Sequence, residues 1–141
     1  MSAEASPGFL DTNILLYAIS GSPDEADKKQ RARALLAQPG QVLSCQVLQE
    51  FYVQATSARK GALPHRDALA IVQHLADTLD VIPLTLATVM LALQLRERYQ
   101  MHYWDAAIIA AAKQSGAATV FSEDLAHGQE YAGVTVINPF V

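Results

Sequence analysis

The sequence predicts an α/β fold in which helices cover both faces of a mainly parallel central sheet. Two observations carry that expectation. Short apolar runs that read as strands alternate with segments of helical periodicity, and the runs are too apolar for a sheet with one wet face. A third observation bears on function: carboxylates recur where an apolar run meets a polar turn or a helix start.

Gly8-Phe9-Leu10 reads as a short buried strand; Asp11-Thr12-Asn13 breaks it, and the apolar run 14–18 resumes as a helix. Ser22-Pro23-Asp24-Glu25 has the spacing of a capping box with Pro at the first helical position, so a helix should run to about residue 37, where Pro39-Gly40 stops it. Residues 41–44 form a second strand. Residues 46–57 are helical, with Val47, Leu48, Phe51, Tyr52 and Ala55 on one apolar stripe. Pro64 opens another helix that turns Leu69, Val72 and Leu75 inward, and 79–84, interrupted by Pro83, reads as an edge strand or connector. Thr85 caps the next helix, which runs to Arg98. A loop over 99–103 leads to Trp104-Asp105 and then to an almost wholly apolar helix, Ala106 through Ala112, that Gly116 ends. Asp105 thus sits at the N-cap position, as Asp11 does. Residues 118–121 and 134–137 supply two last strands.

At 141 residues and 51% hydrophobic, the chain fits one domain over 1–141, with residues 1–7 expected to be a flexible N-terminus. The start lacks the pattern of a signal peptide, and no uncharged apolar stretch reaches about 18 residues, so a soluble, cytoplasmic protein without a membrane partner is expected. The single cysteine, Cys45, excludes an intramolecular disulfide and a structural zinc cage; it is expected to be a small buried hydrophobe. A net charge of −4 weighs weakly against a nucleic-acid partner. Assigning the negative excess to four metal-bound carboxylates leaves the remaining chain balanced, with basic groups bunched at Lys28, Lys29, Arg31 and Arg33 and again at Arg59, Lys60 and Arg66.

The four carboxylates are Asp11, Glu50, Asp105 and Asp124. Asp11 and Asp124 both follow apolar strands of the same polarity, and Asp105 opens a helix that must pack close to them. In an open parallel sheet the carboxyl edge is where ligands bind, and several acids gathered there repel one another unless divalent cations or shared protons hold them. Taken singly, each has an ordinary structural role as a helix cap or turn residue. Glu50 falls at the flank of its helix stripe, where periodicity alone reads it as solvated. Other acidic signatures fit poorly. A haloacid-dehalogenase-type Asp-x-Asp is broken by Asn13, the acids and lysine of a receiver domain are missing, and no Gly-rich phosphate loop occurs. His102, Tyr103 and Trp104 precede the third acid; packing under the helix start is the expected role of Trp104, with base stacking as its alternative. His127, before a glycine in a turn, stays outside the catalytic set.

The segments Phe9 through Ala18, Leu43-Ser44 with Val47 through Phe51, Tyr103 through Ala112, and Phe121 through Leu125 resemble the four acidic motifs of PIN-domain nucleases. They closely resemble the VapC toxins of bacterial toxin–antitoxin pairs, and the likeness extends to Ile137-Asn138-Pro139-Phe140. The resemblance implies a three-layer α/β/α PIN-like fold and a metal site for Mg²⁺ or Mn²⁺ supplied by Asp11, Glu50, Asp105 and Asp124, with Asn13 and Ser122 in support. It also implies RNA phosphodiester hydrolysis, a cognate antitoxin and a homodimer. Ser122 stands where the family commonly has threonine, and Glu123 is an alternative ligand, with Asp124 favoured. A PIN-type nuclease of RNA processing without an antitoxin, or a non-enzymatic module retaining the fold, remains open at this point.

Overall fold

The computed structural model describes residues 8–141, so the expectation for residues 1–7 lies outside the described residues. In chain order the elements are β1 (Gly8–Leu10), α1 (Thr12–Ala18), a 3-10 turn (Pro23–Glu25), α2 (Ala26–Ala37), β2 (Val42–Ser44), α3 (Cys45–Thr56), α4 (His65–Thr78), β3 (Asp80–Ile82), α5 (Leu86–Tyr99), α6 (Tyr103–Ser115), β4 (Thr119–Phe121), β5 (Glu130–Tyr131) and β6 (Val134–Ile137). The sheet order is β3-β2-β1-β4-β6-β5. Every neighbouring pair is parallel except β5 with β6. The two-residue β5 has no apolar signature, and no strand was expected there.

The strand order explains where a ligand can sit. From β1 the chain lays β2 and β3 to one side, then returns to place β4 against the other edge of β1. That reversal is a topological switch point, and the crevice it opens lies at the carboxyl ends of β1 and β4. The register pairs Leu10 with Phe121, so the residues that follow, Asp11 and Ser122, emerge side by side. Gly8 is required at the start of β1. A Cβ there would come 2.5 Å from the Phe121 ring and 2.7 Å from Gln41 Oε1, which accepts the Gly8 N–H.

One core joins the sheet to both helical layers. The helix α6 buries Ala106 through Ala112 without a break and packs on β1, β2, β4 and β6. Small side chains let its backbone approach the sheet, and Gly116, at φ 83°, ends it by donating to the carbonyls of Ala112 and Lys113. The helix α5 packs on α6, whereas α1 contacts α2 and α3, and α3 contacts α4, giving the three-layer α/β/α arrangement.

Several local expectations are corrected. Ser22 makes no capping hydrogen bond; a 3-10 turn precedes α2, and Glu25 instead accepts from the Ser20 hydroxyl. The last α-helix begins at Tyr103, so Asp105 lies within its first turn, not at the N-cap. In α4 Ala68 and Leu75 are buried and Ile71 and Val72 pack half-buried against the core, so Val72 and Leu75 turn inward as expected; Leu69 falls outside that stripe and is exposed. Cys45 is exposed as the first residue of α3, ahead of the buried stripe that starts at Val47. Thr85, by contrast, caps α5 by accepting from the Thr88 N–H at 3.2 Å.

Candidate active site

The switch point carries a tight polar network. Asp11 is 8% exposed, and its Oδ1 accepts the Thr12 N–H at 2.7 Å, so it does cap α1. Its Oδ2 accepts from the fully buried Ser122 hydroxyl at 2.8 Å. Ser122 Oγ in turn accepts the Asp124 N–H at 3.1 Å. Asn13, on the first turn of α1, ties the two strand ends together. Its Nδ2 donates to Asp124 Oδ2 at 3.1 Å and to Ser122 Oγ at 3.3 Å, and its Oδ1 accepts the Glu123 N–H at 3.1 Å. Asn13 and Ser122 thus hold the loop after β4 against the start of α1.

Glu50 comes in from α3. Its Oε2 accepts from the Thr12 hydroxyl at 3.3 Å and its Oε1 from Gln46, one turn earlier, at 2.9 Å. The flank of α3 therefore faces α1, which a helical wheel of α3 alone could not show. The Thr12 contact to Glu50 was not expected from the sequence, although Thr12 lies between Asp11 and Asn13. Asp11, Glu50 and Asp124 line one cleft of about 510 Å³, with Asn13, Tyr17 and Lys60 also on its walls. Asp105 does not line that cleft; it stands half-buried on the first turn of α6, within electrostatic reach of Asp124 and His102.

The electrostatics follow from burial and like charge. Burial pushes the Asp11 carboxyl up to about 6 against the pull of the Ser122 and Thr12 hydrogen bonds, and the charges of Asp124 and Glu50 push the same way. Burial also raises Asp105, Asp124 adds to the rise, and His102 opposes it. Among the described residues, no three His, Cys, Asp or Glu side chains converge closely enough to chelate an ion as they stand. The donor chemistry nonetheless suits a hard divalent cation. The groups are all carboxylates, the charged form of Asp11 is disfavoured by its surroundings, and Asp124 is exposed enough to swing.

Glu123 lines the same cleft, but its carboxylate is held by other partners. Its carboxylate pairs with Lys28 and accepts from the Tyr17 hydroxyl. Burial pushes Glu123 up, but these two partners outweigh it and hold it below the usual carboxylate range. Of the two neighbouring acids, Asp124 is therefore the one that shares the Asp11 network. The Lys28 contact spans 95 residues of sequence, and no local pattern announces it. His127 accepts the Asn138 N–H through Nδ1 at 2.9 Å, a structural bond outside the cluster. Trp104 departs from expectation: it is 67% exposed and does not pack beneath α6.

Solved structures with the same fold include a sarcin-ricin-loop-cleaving toxin, VapC20 of Mycobacterium tuberculosis, at 23% identity, covering 83% of this chain and 91% of that one with a TM-score of 0.64. A toxin–antitoxin complex from Klebsiella pneumoniae matches at 24% identity over 94% and 97% of the two chains, TM-score 0.64. DNA-bound VapBC from Salmonella typhimurium matches at 19% identity over 94% and 97%, TM-score 0.65. No curated protein matches the chain significantly. The PIN domain family model matches residues 8–129, nearly the whole of the described fold, and with the acids placed as above the chain belongs to the PIN domain family.

Proposed function

We propose that this chain is a metal-dependent endoribonuclease and the toxin of a toxin–antitoxin pair, with Asp11, Glu50, Asp105 and Asp124 holding Mg²⁺ or Mn²⁺. The observation that carries the reading is the placement of Asp11 at the switch point, bonded to Ser122 and flanked by the charges of Asp124 and Glu50. A bound divalent cation would supply a water of lowered pKa and would neutralise charge at the phosphate. The protein's own groups do the positioning. Ser122 and the Thr12 N–H orient Asp11, Asn13 orients Asp124, and Thr12 orients Glu50. Lys60, on the wall of the same cleft, offers a cation to a substrate phosphate.

The solved relatives described as toxin–antitoxin complexes support an antitoxin partner, and an acidic cleft suits a basic side chain inserted from one. A homodimer accords with Leu86, Met90 and Leu93, spaced along one face of α5 and left exposed. No helix among the described residues is long and apolar enough to cross a membrane; the setting we propose is the cytoplasm, where RNA substrate is available.

The test is cleavage of RNA by the purified chain with Mg²⁺ or Mn²⁺, its loss in EDTA, and its return on adding metal. Attack by water on phosphorus with the 3′-oxygen as leaving group leaves a 5′-phosphate and a 3′-hydroxyl; a 2′,3′-cyclic phosphate overturns the mechanism. Expression with and without the upstream neighbouring gene tests the antitoxin: growth should fail only when the neighbour is absent.

A further inference from the structure

Trp104 is the single tryptophan of the chain. One exposed aromatic residue is ordinary on a protein surface, but the surroundings of this one are not. It lines a second cleft, of about 440 Å³, with Arg96, Gln100, Met101, His102 and Tyr103. The cleft forms where α5 ends in a left-handed Gln100, at φ 55°, and the chain turns back into α6. Tyr103 meets the indole edge-on, with ring centroids 5.1 Å apart, and so braces one side of it while most of its surface stays open. The charged and titratable walls are Arg96, His102 and Tyr103; no carboxylate lines the cleft.

Its position ties it to the acids. Trp104 directly precedes Asp105 in the first turn of α6, and Asp105 feels both His102 of this cleft and Asp124 of the acidic cleft. The cleft that holds Arg96 and His102 therefore adjoins Asp105 through Trp104, its neighbour in the chain. A flat aromatic face, an amide, an imidazole able to hydrogen-bond and the guanidinium of Arg96 are the features that hold an unstacked base of single-stranded nucleic acid and its phosphate. A peptide side chain or a second copy of this chain has no comparable need for both the open indole and the Arg96 guanidinium in a cleft that no carboxylate lines. A cleft of this volume falls in the range that takes a small ligand.

We propose that this cleft is the subsite for a nucleotide beside the scissile phosphate of single-stranded RNA, with its base stacked on Trp104 and its backbone met by Arg96 and His102. The assignment rests on the nuclease reading of the acidic site. Because Trp104 is the sole tryptophan, its emission reports on the cleft directly. The full chain carrying Asp11→Asn, titrated with a short single-stranded RNA, should show saturable quenching, and removal of the base at one position of that RNA should abolish it. In the active chain with Mn²⁺, Trp104→Ala should raise KM about tenfold, in line with the loss of one stacked base, while kcat falls far less. Trp104→Phe, which keeps a stacking face, should recover most of the loss, and circular dichroism should report all variants folded.

Cleavage by the wild-type chain with an unchanged KM in Trp104→Ala and no quenching overturns the subsite and leaves the nuclease reading standing. Base-dependent quenching in a wild-type chain that cleaves no RNA supports the binding site and sinks the nuclease reading. If Trp104→Ala instead lowers the sedimentation coefficient with KM unchanged, the indole is a subunit contact and the proposal fails.

Discussion

The two sides of the acidic cluster are built differently. On the strand side Asp11 is buried, follows the central strand and accepts from Thr12 and Ser122 at 2.7 and 2.8 Å. On the helix side Glu50 and Asp105 are half-buried, one held by the Thr12 hydroxyl and its own helix, the other placed by the first turn of α6. The strand side is preorganised at a cost in charge; the helix side has room to adjust. The metal site we propose would then have a fixed anchor in Asp11 and more movable partners in Glu50 and Asp105.

The largest expected effect tests the anchor. Asp11→Asn keeps the volume and removes the charge, and kcat/KM for RNA should drop by at least about 100-fold, since even partners of metal ligands are worth 10 to 100. Glu50→Gln should cost less, because neighbouring side chains can shift to compensate. Equal losses in single-turnover assays would break the proposed division between anchor and adjustable side.

The same residue should report its strain in stability. The Asp11 carboxyl titrates at about 6 when folded against 3.8 when unfolded, so the folded state binds the proton more tightly. Its contribution is therefore fully present below pH 3.8 and is lost as pH rises through about 6. A shift of about two units amounts to roughly 2–3 kcal/mol. In EDTA, thermal melts of Asp11→Asn should lie above those of the wild type at pH 7.5, and the gap should close towards pH 4. Asp105 is raised in both proteins, so the difference between them isolates Asp11. A gap that persists at pH 4 would mean that burial of the charge is not its cause.

The strand side was also the side legible in the sequence. Gly8-Phe9-Leu10-Asp11 and Thr119 through Asp124 announce buried strands ending in acids, and parallel strands of one polarity bring such ends together. Glu50 was not legible from periodicity, because its meaning depends on which neighbour the flank of α3 faces, and that neighbour is Thr12. Composition misled at Cys45 and Trp104, since both residue types are usually buried whereas both stand in the first turn of a helix, outside its packed stripe. Leu69 misled for a related reason: an apolar residue beside a stripe looks like part of it. The family resemblance supplied Glu50 and the order of the acids but said nothing of Lys28.

Ser122 offers a smaller and sharper test of the anchor. Removing its hydroxyl takes one donor from Asp11 and the acceptor from the Asp124 N–H, so Ser122→Ala should lower kcat/KM about tenfold. Ser122→Thr preserves the hydroxyl and should stay close to wild type. Loss of activity in the threonine variant would show that the buried volume at this position, not the hydrogen bond, is what matters.

The smallest effect concerns Lys28, and it discriminates between two roles for a single contact. Lys28 Nζ pairs with Glu123, bonds the Tyr17 hydroxyl and lies 4.8 Å from the centroid of the Tyr17 ring. The pair is more than a third exposed on the lysine side, so its loss should change stability by no more than about 1 kcal/mol. Its effect on activity depends on what the lysine does. If it only anchors the loop after β4, Lys28→Met and Glu123→Gln should each lower activity a few-fold and the double variant should be no better. If it neutralises Glu123 on the wall of the acidic cleft, Lys28→Met frees a carboxylate next to Asp124, and Glu123→Gln should restore the activity that Lys28→Met loses. The second outcome is expected: Asn13 and Ser122 already hold the loop through three hydrogen bonds, to the Glu123 and Asp124 N–H groups and the Asp124 carboxylate, none of which involves Lys28.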